Sequence, residues 1–322
     1  MDNCAPVLIP TLNRHVHFKR CVESLSACTH ADKTDLYVAF DYPLTESHRD
    51  GYSKINEYLP TIKRFKSVNI IRREKNFGAI GNMDDAMKSI FEKYDRMIFS
   101  EDDNEFSPDF LNFVNQGLNL YKDNQNVFSI SGYQYPVSVP ESYKKNTYVW
   151  QGFSAWGVGI WKDKFLKVDW DQSIVQSNIK KFLKKPLEVY RHYRIANHLI
   201  SNKIRMVKNN CIYGDSYLSW YLVRNNMYVV FPTISRVRNT GHDGSGVHCG
   251  NMTNNPYREQ EIYSGDQNYT LEKDIQPDND INQVLYYFFS LNFKSKIKLF
   301  ARLFLYNFDT FIKSRNFRNM SL

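Results

Sequence analysis

Residues 96–113 set an apolar run, Met97, Ile98 and Phe99, directly before three consecutive carboxylates, Glu101, Asp102 and Asp103. The apolar run predicts a short buried strand. Acids at the end of a buried strand are costly unless something positive meets them. Ser107, Pro108 and Asp109 predict the next boundary: an N-cap, a proline at the first helical position and an acid in the first turn. The carboxylates are therefore expected in a strand-to-helix loop. In open α/β sheets ligands bind beyond the carboxyl ends of the strands, so a cation and an anionic ligand are expected at this loop. An isolated acidic triplet would equally describe a solvated turn; the strand before it and Ser-Pro-Asp after it favour the ligand site.

The rest of the first half repeats the strand-then-helix pattern. Residues 6–13 read as a buried strand, followed by Arg14 and a helix with Phe18, Val22 and Leu25 on one face. Residues 35–43 give a second strand, with Asp41 near its end and Pro43 as a breaker, and residues 67–73 a third. Ile80, Met83, Met87 and Ile90 then recur at helical spacing. A fifth strand is expected at Val127–Ser131. Such alternation predicts a mainly parallel sheet with helices on both faces. Gly78 and Gly81 form neither a dinucleotide fingerprint nor a P-loop. A nucleotide held without either device commonly needs a metal for its phosphates, which points back to the carboxylates.

Composition narrows the class. A chain of 322 residues, 42% hydrophobic, can bury a sizeable core as one large domain or two joined ones. Five cysteines without Cys-x-x-Cys spacing predict reduced thiols in the cytoplasm. No apolar leader and no membrane-spanning run are expected, so the sequons at Asn251, Asn268 and Asn319 read as chance matches. The net charge of +8 is uneven: residues 175–208 carry +8 and residues 293–322 carry +6, leaving −6 elsewhere. Two basic patches on an acidic body suggest a localised anionic partner, a membrane surface or a phosphate-bearing acceptor. No nucleic-acid motif accompanies them.

At specific residues the chain resembles the GT-A glycosyltransferases, and among them the inverting N-acetylglucosaminyltransferases acting on mannose, with their Glu-Asp-Asp signature. The resemblance rests on Asn13 and Arg14 after the first strand, Asp41 after the second, and Glu101-Asp102-Asp103 followed by Phe106, Ser107, Pro108, Asp109 and Phe110. Residues 156–161 resemble the family's Gly-x-Gly-Trp segment, and residues 213–220 the acidic segment carrying the catalytic base. Residues 234–236 with 241–250 resemble the donor-closing loop. The likeness runs over residues 6–255. It implies a Rossmann-like α/β fold with a mainly parallel sheet flanked by helices, here with a C-terminal helical extension. The implied division is 1–135 for the donor, 136–265 for acceptor and base, and 266–322 as a helical tail.

The resemblance also assigns roles. Asp103 is the expected protein ligand for Mn²⁺ or Mg²⁺, which would clamp the donor diphosphate. Asp102 would meet the ribose, Glu101 the donor sugar, Asp41 the base edge, and Arg14 would lie near the phosphates. Asp215 is the expected general base, although the family carries paired acids where this chain has Gly214-Asp215; a helix cap is the alternative. Asp243 is a second candidate acid.

Residues 239–250 hold glycines at 241, 244, 246 and 250, which predicts a lid. Its amides, with Ser245, are expected over the diphosphate, and His248 is a candidate metal ligand. Tyr133, Tyr135, Trp150, Phe153, Trp156 and Trp161 are either core packing or a sugar-stacking platform.

In the tail, Phe293, Ile297, Phe300, Phe304, Phe308 and Phe311 share an arc opposite Ser295, Lys298, Arg302 and Lys313. That helix docks either on its own domain or, through residues 289–322, on a membrane. The expected function is transfer of a hexose or N-acetylhexosamine from a UDP-sugar to a glycan hydroxyl. The acceptor is expected to be a lipid-linked oligosaccharide of bacterial surface polysaccharide synthesis, at the inner face of the cell membrane. A sugar-nucleotide nucleotidyltransferase, which would want a basic glycine-rich loop by the first strand, and a non-catalytic glycan-binding protein are the alternatives.

Overall fold

A computed structural model describes residues 4–245, 256–257, 260–264 and 270–319, with side chains to residue 307. The sheet starts from segments that are buried along most of their length, as parallel strands must be when helices cover them, except at the half-buried edge formed by residues 67–72. β1 (Val7–Thr11), β2 (Asp35–Phe40), β3 (Ser67–Arg72) and β4 (Arg96–Phe99) pair in parallel in the order β3-β2-β1-β4. α1 (His15–Ser26), α2 (Arg49–Tyr58) and α3 (Gly78–Phe91) lie along the connections that such pairing requires. On α1, Phe18, Val22 and Leu25 are buried as expected.

After β5 (Asn104–Phe106) and α4 (Phe110–Leu120), four strands extend the sheet: β6 (Val127–Ser131), β7 (Thr147–Trp150), β8 (Val158–Trp161) and β9 (Tyr228–Pro232). The full order is β3-β2-β1-β4-β8-β6-β9-β7. β8 opposes β4 and β6, and β7 opposes β9; the other strands run one way. β5 pairs outside this sheet with β10 (Val237–Asn239) as an antiparallel ribbon. A mainly parallel sheet flanked by helices, with a helical C-terminal region, is the expected GT-A architecture.

The chain forms two compact units. The first comprises Met1–Trp150, Ser154–Lys167 and Tyr228–Pro277, and holds the sheet together with α5 (Lys162–Phe165); the second comprises Gln151–Phe153, Val168–Met227 and Asp278–Leu322. In the second unit α6 (Gln172–Leu183), α8 (Gly214–Asn225), α9 (Asn279–Phe288) and α10 (Phe293–Asn319) all pack on α7 (Pro186–Asn209). α7 kinks at Ala196, whose backbone is extended. The next residue, Asn197, accepts from the Leu291 amide at 2.9 Å, tying the kink to the α9–α10 connection.

Two local expectations are corrected. The helix after the acids begins at Phe110, because the Asp109 carboxylate is taken by the Ser107 hydroxyl at 2.7 Å and Arg236 Nε at 3.3 Å and caps nothing. Ile80 is exposed on the first turn of α3, whose buried face runs through Asn82, Ala86, Met87 and Ile90. In the phenylalanine arc of α10, Phe293, Ile297, Phe300 and Phe304 are exposed, with the Phe300 ring 5.6 Å from that of Tyr193 on α7, and Leu299 is the buried side chain beside them; Phe308 and Phe311 lie outside the described side chains. Cys4, Cys21, Cys28 and Cys211 are free thiols, as expected. No helix among the described residues is long and apolar enough to cross a membrane.

Candidate active site

The parallel pairing of β1 with β4 brings Thr11 and Arg14 beside the acids that follow β4. The Thr11 hydroxyl donates to Asp102 Oδ2 at 2.8 Å. The Arg14 guanidinium forks across both acids, donating through Nη2 to Asp102 Oδ1 and placing Nη1 2.8 Å from Asp103 Oδ2. Asp103 is held from the other side by the β5–β10 ribbon. Asn239 Nδ2 donates to its Oδ1 at 2.6 Å, and the Thr240 amide and hydroxyl donate to its carbonyl at 2.8 and 2.9 Å. Gly241 passes so close that a Cβ there would lie 2.0 Å from Asp103 Oδ2, so the backbone approach needs a glycine.

Both carboxylates are buried. Burial raises the Asp102 carboxyl; Arg14 pulls it down and neighbouring Asp103 pushes it up, leaving it above its ordinary value. Burial alone would lower the Arg14 guanidinium, but Asp102 and Asp103 more than offset this and hold it charged. A fixed monocation thus faces two acids, short of neutralising both.

Glu101 turns away from this pair: its Oε2 accepts from Trp156 Nε1 at 3.0 Å. Trp156 follows from a turn at Gly157, where φ is +66° and a Cβ would strike Val237 at 2.8 Å. The indole packs edge-on against Tyr133 and His242. Tyr133, Trp150 and Trp161 are buried, so much of the aromatic set is core, and half-buried Trp156 is the member that touches a candidate donor residue.

Asp41 lies buried just past β2, with Oδ1 accepting from the Tyr42 and Phe77 amides at 2.9 and 2.8 Å. It therefore anchors the loop entering α3. Ser245 donates through its amide and hydroxyl to Asp243 Oδ1, at 2.9 and 2.6 Å. The other Asp243 oxygen lies 3.1 Å from His17 Nε2. His248 lies outside the described residues.

Asp215 belongs to the second unit, in the first turn of α8, ahead of buried Leu218, Trp220 and Leu222. The N-cap is Tyr213 without a side-chain bond, so Asp215 is not the cap. Its side chain is exposed to solvent, which limits the upward push that the surrounding protein exerts on its carboxyl. The structure thus joins Arg14, Asp102 and Asp103 directly, with Glu101 adjacent in chain. Thr11 and Asn239 were given no role from sequence and Gly241 only that of a lid glycine; the β5–β10 pairing that delivers the last two to Asp103 joins segments too distant for local pattern to reveal.

The donor set suits a divalent cation. Asp103 offers hard oxygen atoms, although in this structure Oδ1 is held by Asn239 and Oδ2 by Arg14, with the Gly241 backbone close against Oδ2. No group of three or more His, Cys, Asp or Glu among the described residues is placed to hold a metal ion. An ion on Asp103 would thus need ligands from the diphosphate, or from residues such as His248.

Residues 7–190 match the sequence profile described as glycosyl transferase family 2. The chain belongs to that family. The family and the fold together give it a glycosyltransferase family 2 domain of GT-A architecture. No curated protein sequence matches the chain. Among solved structures, it is similar to a mannosyltransferase, PcManGT from Pyrobaculum calidifontis, solved with GDP-Man and Mn²⁺. That likeness has 13% identity, 51% of this chain, 46% of that one and a TM-score of 0.37. It is also similar to S. aureus TarS, with 15% identity, 48% of this chain, 28% of that one and a TM-score of 0.33. The chain spans less than half the length of either protein, and these distant likenesses bear on neither substrate nor mechanism.

Proposed function

We propose that this glycosyltransferase uses a UDP-sugar and a divalent cation, Mn²⁺ or Mg²⁺, to glycosylate a hydroxyl of a lipid-linked glycan with inversion. The acceptor lipid lies at the cytoplasmic face of a membrane. The N-acetylglucosaminyltransferase resemblance favours an N-acetylhexosamine. The observation that carries this reading is the buried Asp102–Asp103 pair at the end of β4, engaged by a single monocation.

In this reading Asp103, with His248, holds the cation, whose charge would offset that of the leaving diphosphate. Asp102 and Glu101 orient the ribose and sugar, Asp41 the base, and Ser245 closes over the phosphates with the lid. Arg14 supplies a second positive charge facing the same group. Asp215 takes the proton from the acceptor hydroxyl as that oxygen bonds the anomeric carbon from the face opposite the diphosphate. The bond from that carbon to the diphosphate oxygen breaks, and its electron pair leaves on UDP. A carboxyl pushed up to about 7 suits a base working near neutrality, since it is basic enough to accept the proton yet substantially ionised.

Calorimetry of UDP with and without Mn²⁺ tests the donor half: binding is expected to require the metal. Equal affinity in both would assign the whole charge to Arg14 and make the reading metal-independent. A donor-panel hydrolysis assay identifies the sugar. For the base, kcat/KM is expected to rise with pH through about 7 as Asp215 ionises, a limb that Asp215→Asn abolishes together with transfer while UDP affinity holds.

A further inference from the structure

On α10, the side chains turned inward fall on one stripe: Ser295, Leu299, Leu303 and Tyr306, of which Leu299 is fully buried. Asn307 fastens this side to α6 by donating to the Leu183 carbonyl at 3.3 Å. A second stripe, Phe293, Ile297, Phe300 and Phe304, recurs at the same helical spacing but faces outward, with exposures of 78, 54, 54 and 69%. More than half of each of these side chains is exposed, although the Phe300 ring also lies 5.6 Å from that of Tyr193 on α7.

Between the two stripes runs a row of exposed cations, Lys294, Lys298 and Arg302, four residues apart. Arg302 and Leu305 also line a cleft of about 610 Å³ with Arg205 and Lys208 of α7. None of these five cations forms an ion pair among the described residues. An outward apolar stripe beside uncompensated cations is the pattern of a helix lying in a bilayer interface, with aromatics among the acyl chains and lysines at the phosphates. The cationic row interrupts the apolar surface, and no helix among the described residues is long and apolar enough to cross a membrane.

We propose that α10 docks the second unit on an anionic phospholipid bilayer, seating Phe293, Ile297, Phe300 and Phe304 in the interface. Lys294, Lys298 and Arg302, with the Arg205–Lys208 cleft, take the headgroup phosphates. A second copy of the chain is disfavoured as the occupant, because self-association through this face would bring two cationic rows together. The inference deepens the proposed function by naming the surface on which a lipid-borne acceptor is met, and rests on that reading for this purpose alone.

The test is flotation of the full chain, without nucleotide, on vesicles of phosphatidylcholine alone or mixed with phosphatidylglycerol. Binding to the anionic vesicles should exceed binding to neutral ones by at least about tenfold and weaken with salt. Ile297→Glu and Lys298→Glu should each lower it by on the order of tenfold, with thermal unfolding and UDP affinity unchanged. Equal binding to both vesicle types, or wild-type binding by Ile297→Glu, overturns the proposal. So does a dimer in sedimentation that Ile297→Glu dissolves, because a second copy then covers the stripe. UDP binding without vesicle binding removes this inference and leaves the donor reading, and the reverse removes the donor reading and leaves the docking.

Discussion

In the first unit Asp102 and Asp103 are buried against Arg14, Thr11 and Asn239, so that each acid meets a cation or a hydrogen-bond donor. In the second unit Lys203 is as deeply buried, but no acid meets it. Its Nζ donates to the Ser216 carbonyl at 2.9 Å and lies 2.9 Å from His192 Nε2. Burial therefore pushes the lysine well below its ordinary value of 10.5, and burial with the Lys203 charge pushes His192 down too. The amine reaches three groups in all, the third being the Ser216 hydroxyl at 3.3 Å. The first arrangement sets acids against a cation, whereas the second seals a lysine among neutral groups and joins α7 to α8.

The largest effect that would sharpen this contrast is at Asp103. Asp103→Asn keeps the shape but removes the charge facing the cation and Arg14, and should lower turnover by on the order of 10²- to 10³-fold. Steady-state kinetics with the donor found in the hydrolysis panel measures it. Near-normal turnover would show that Arg14 alone answers the diphosphate, and that the acid pair serves to hold the arginine.

Stability should separate the two units next. Arg14→Met leaves two buried carboxylates without their cation and should cost about 3 kcal/mol in urea unfolding, part of it restored by Mn²⁺. Lys203→Met removes a group that folding must deprotonate, and should be neutral or stabilising by about 1–2 kcal/mol at pH 7. For Lys203 the folded value lies below the unfolded one, so the unfolded chain binds the extra proton throughout the window between them. Wild-type stability should then rise as pH climbs toward 10.5, a slope that Lys203→Met lacks. His192 and His198, the latter lowered to about 3 by burial and then by Lys203, act in the same direction, with stability lost as pH falls below their ordinary 6.5. A slope unchanged in Lys203→Met would mean that the amine stays charged, and the contrast would fail.

Much of the first unit was legible because its signals are local. An apolar run closed by polar residues marks each parallel strand, and the acids follow one of them directly, so β1–β4, α1 and the position of Asp102 and Asp103 could be read in order. What could not be read depends on pairing across long separations. Asn239 reaches Asp103 only because β10 lies on β5, and Asp109 leaves its expected helix for Arg236. The second unit was harder still. Its sequence is basic and helical throughout, and nothing local separates Lys203, which is sealed inside, from Lys208, which lines the open cleft beside Arg302. The aromatic periodicity of α10 was plain, yet which stripe faces inward depends on α7, the helix it packs against.

The smallest expected effect lies at Trp156. Its indole N–H holds Glu101 at 3.0 Å while its ring packs against Tyr133 and His242. Trp156→Phe keeps most of the packing and removes the donor, so Glu101 loses one hydrogen bond worth about 1 kcal/mol. If Glu101 meets the donor sugar, the loss should appear as a several-fold change in the KM for the sugar nucleotide, with the affinity for UDP itself unmoved. The distinction matters because UDP lacks the sugar. A change in UDP affinity would instead place Glu101 among the groups that hold the nucleotide, and the acidic run would then act as one electrostatic unit with Arg14 rather than as a metal site beside a sugar site.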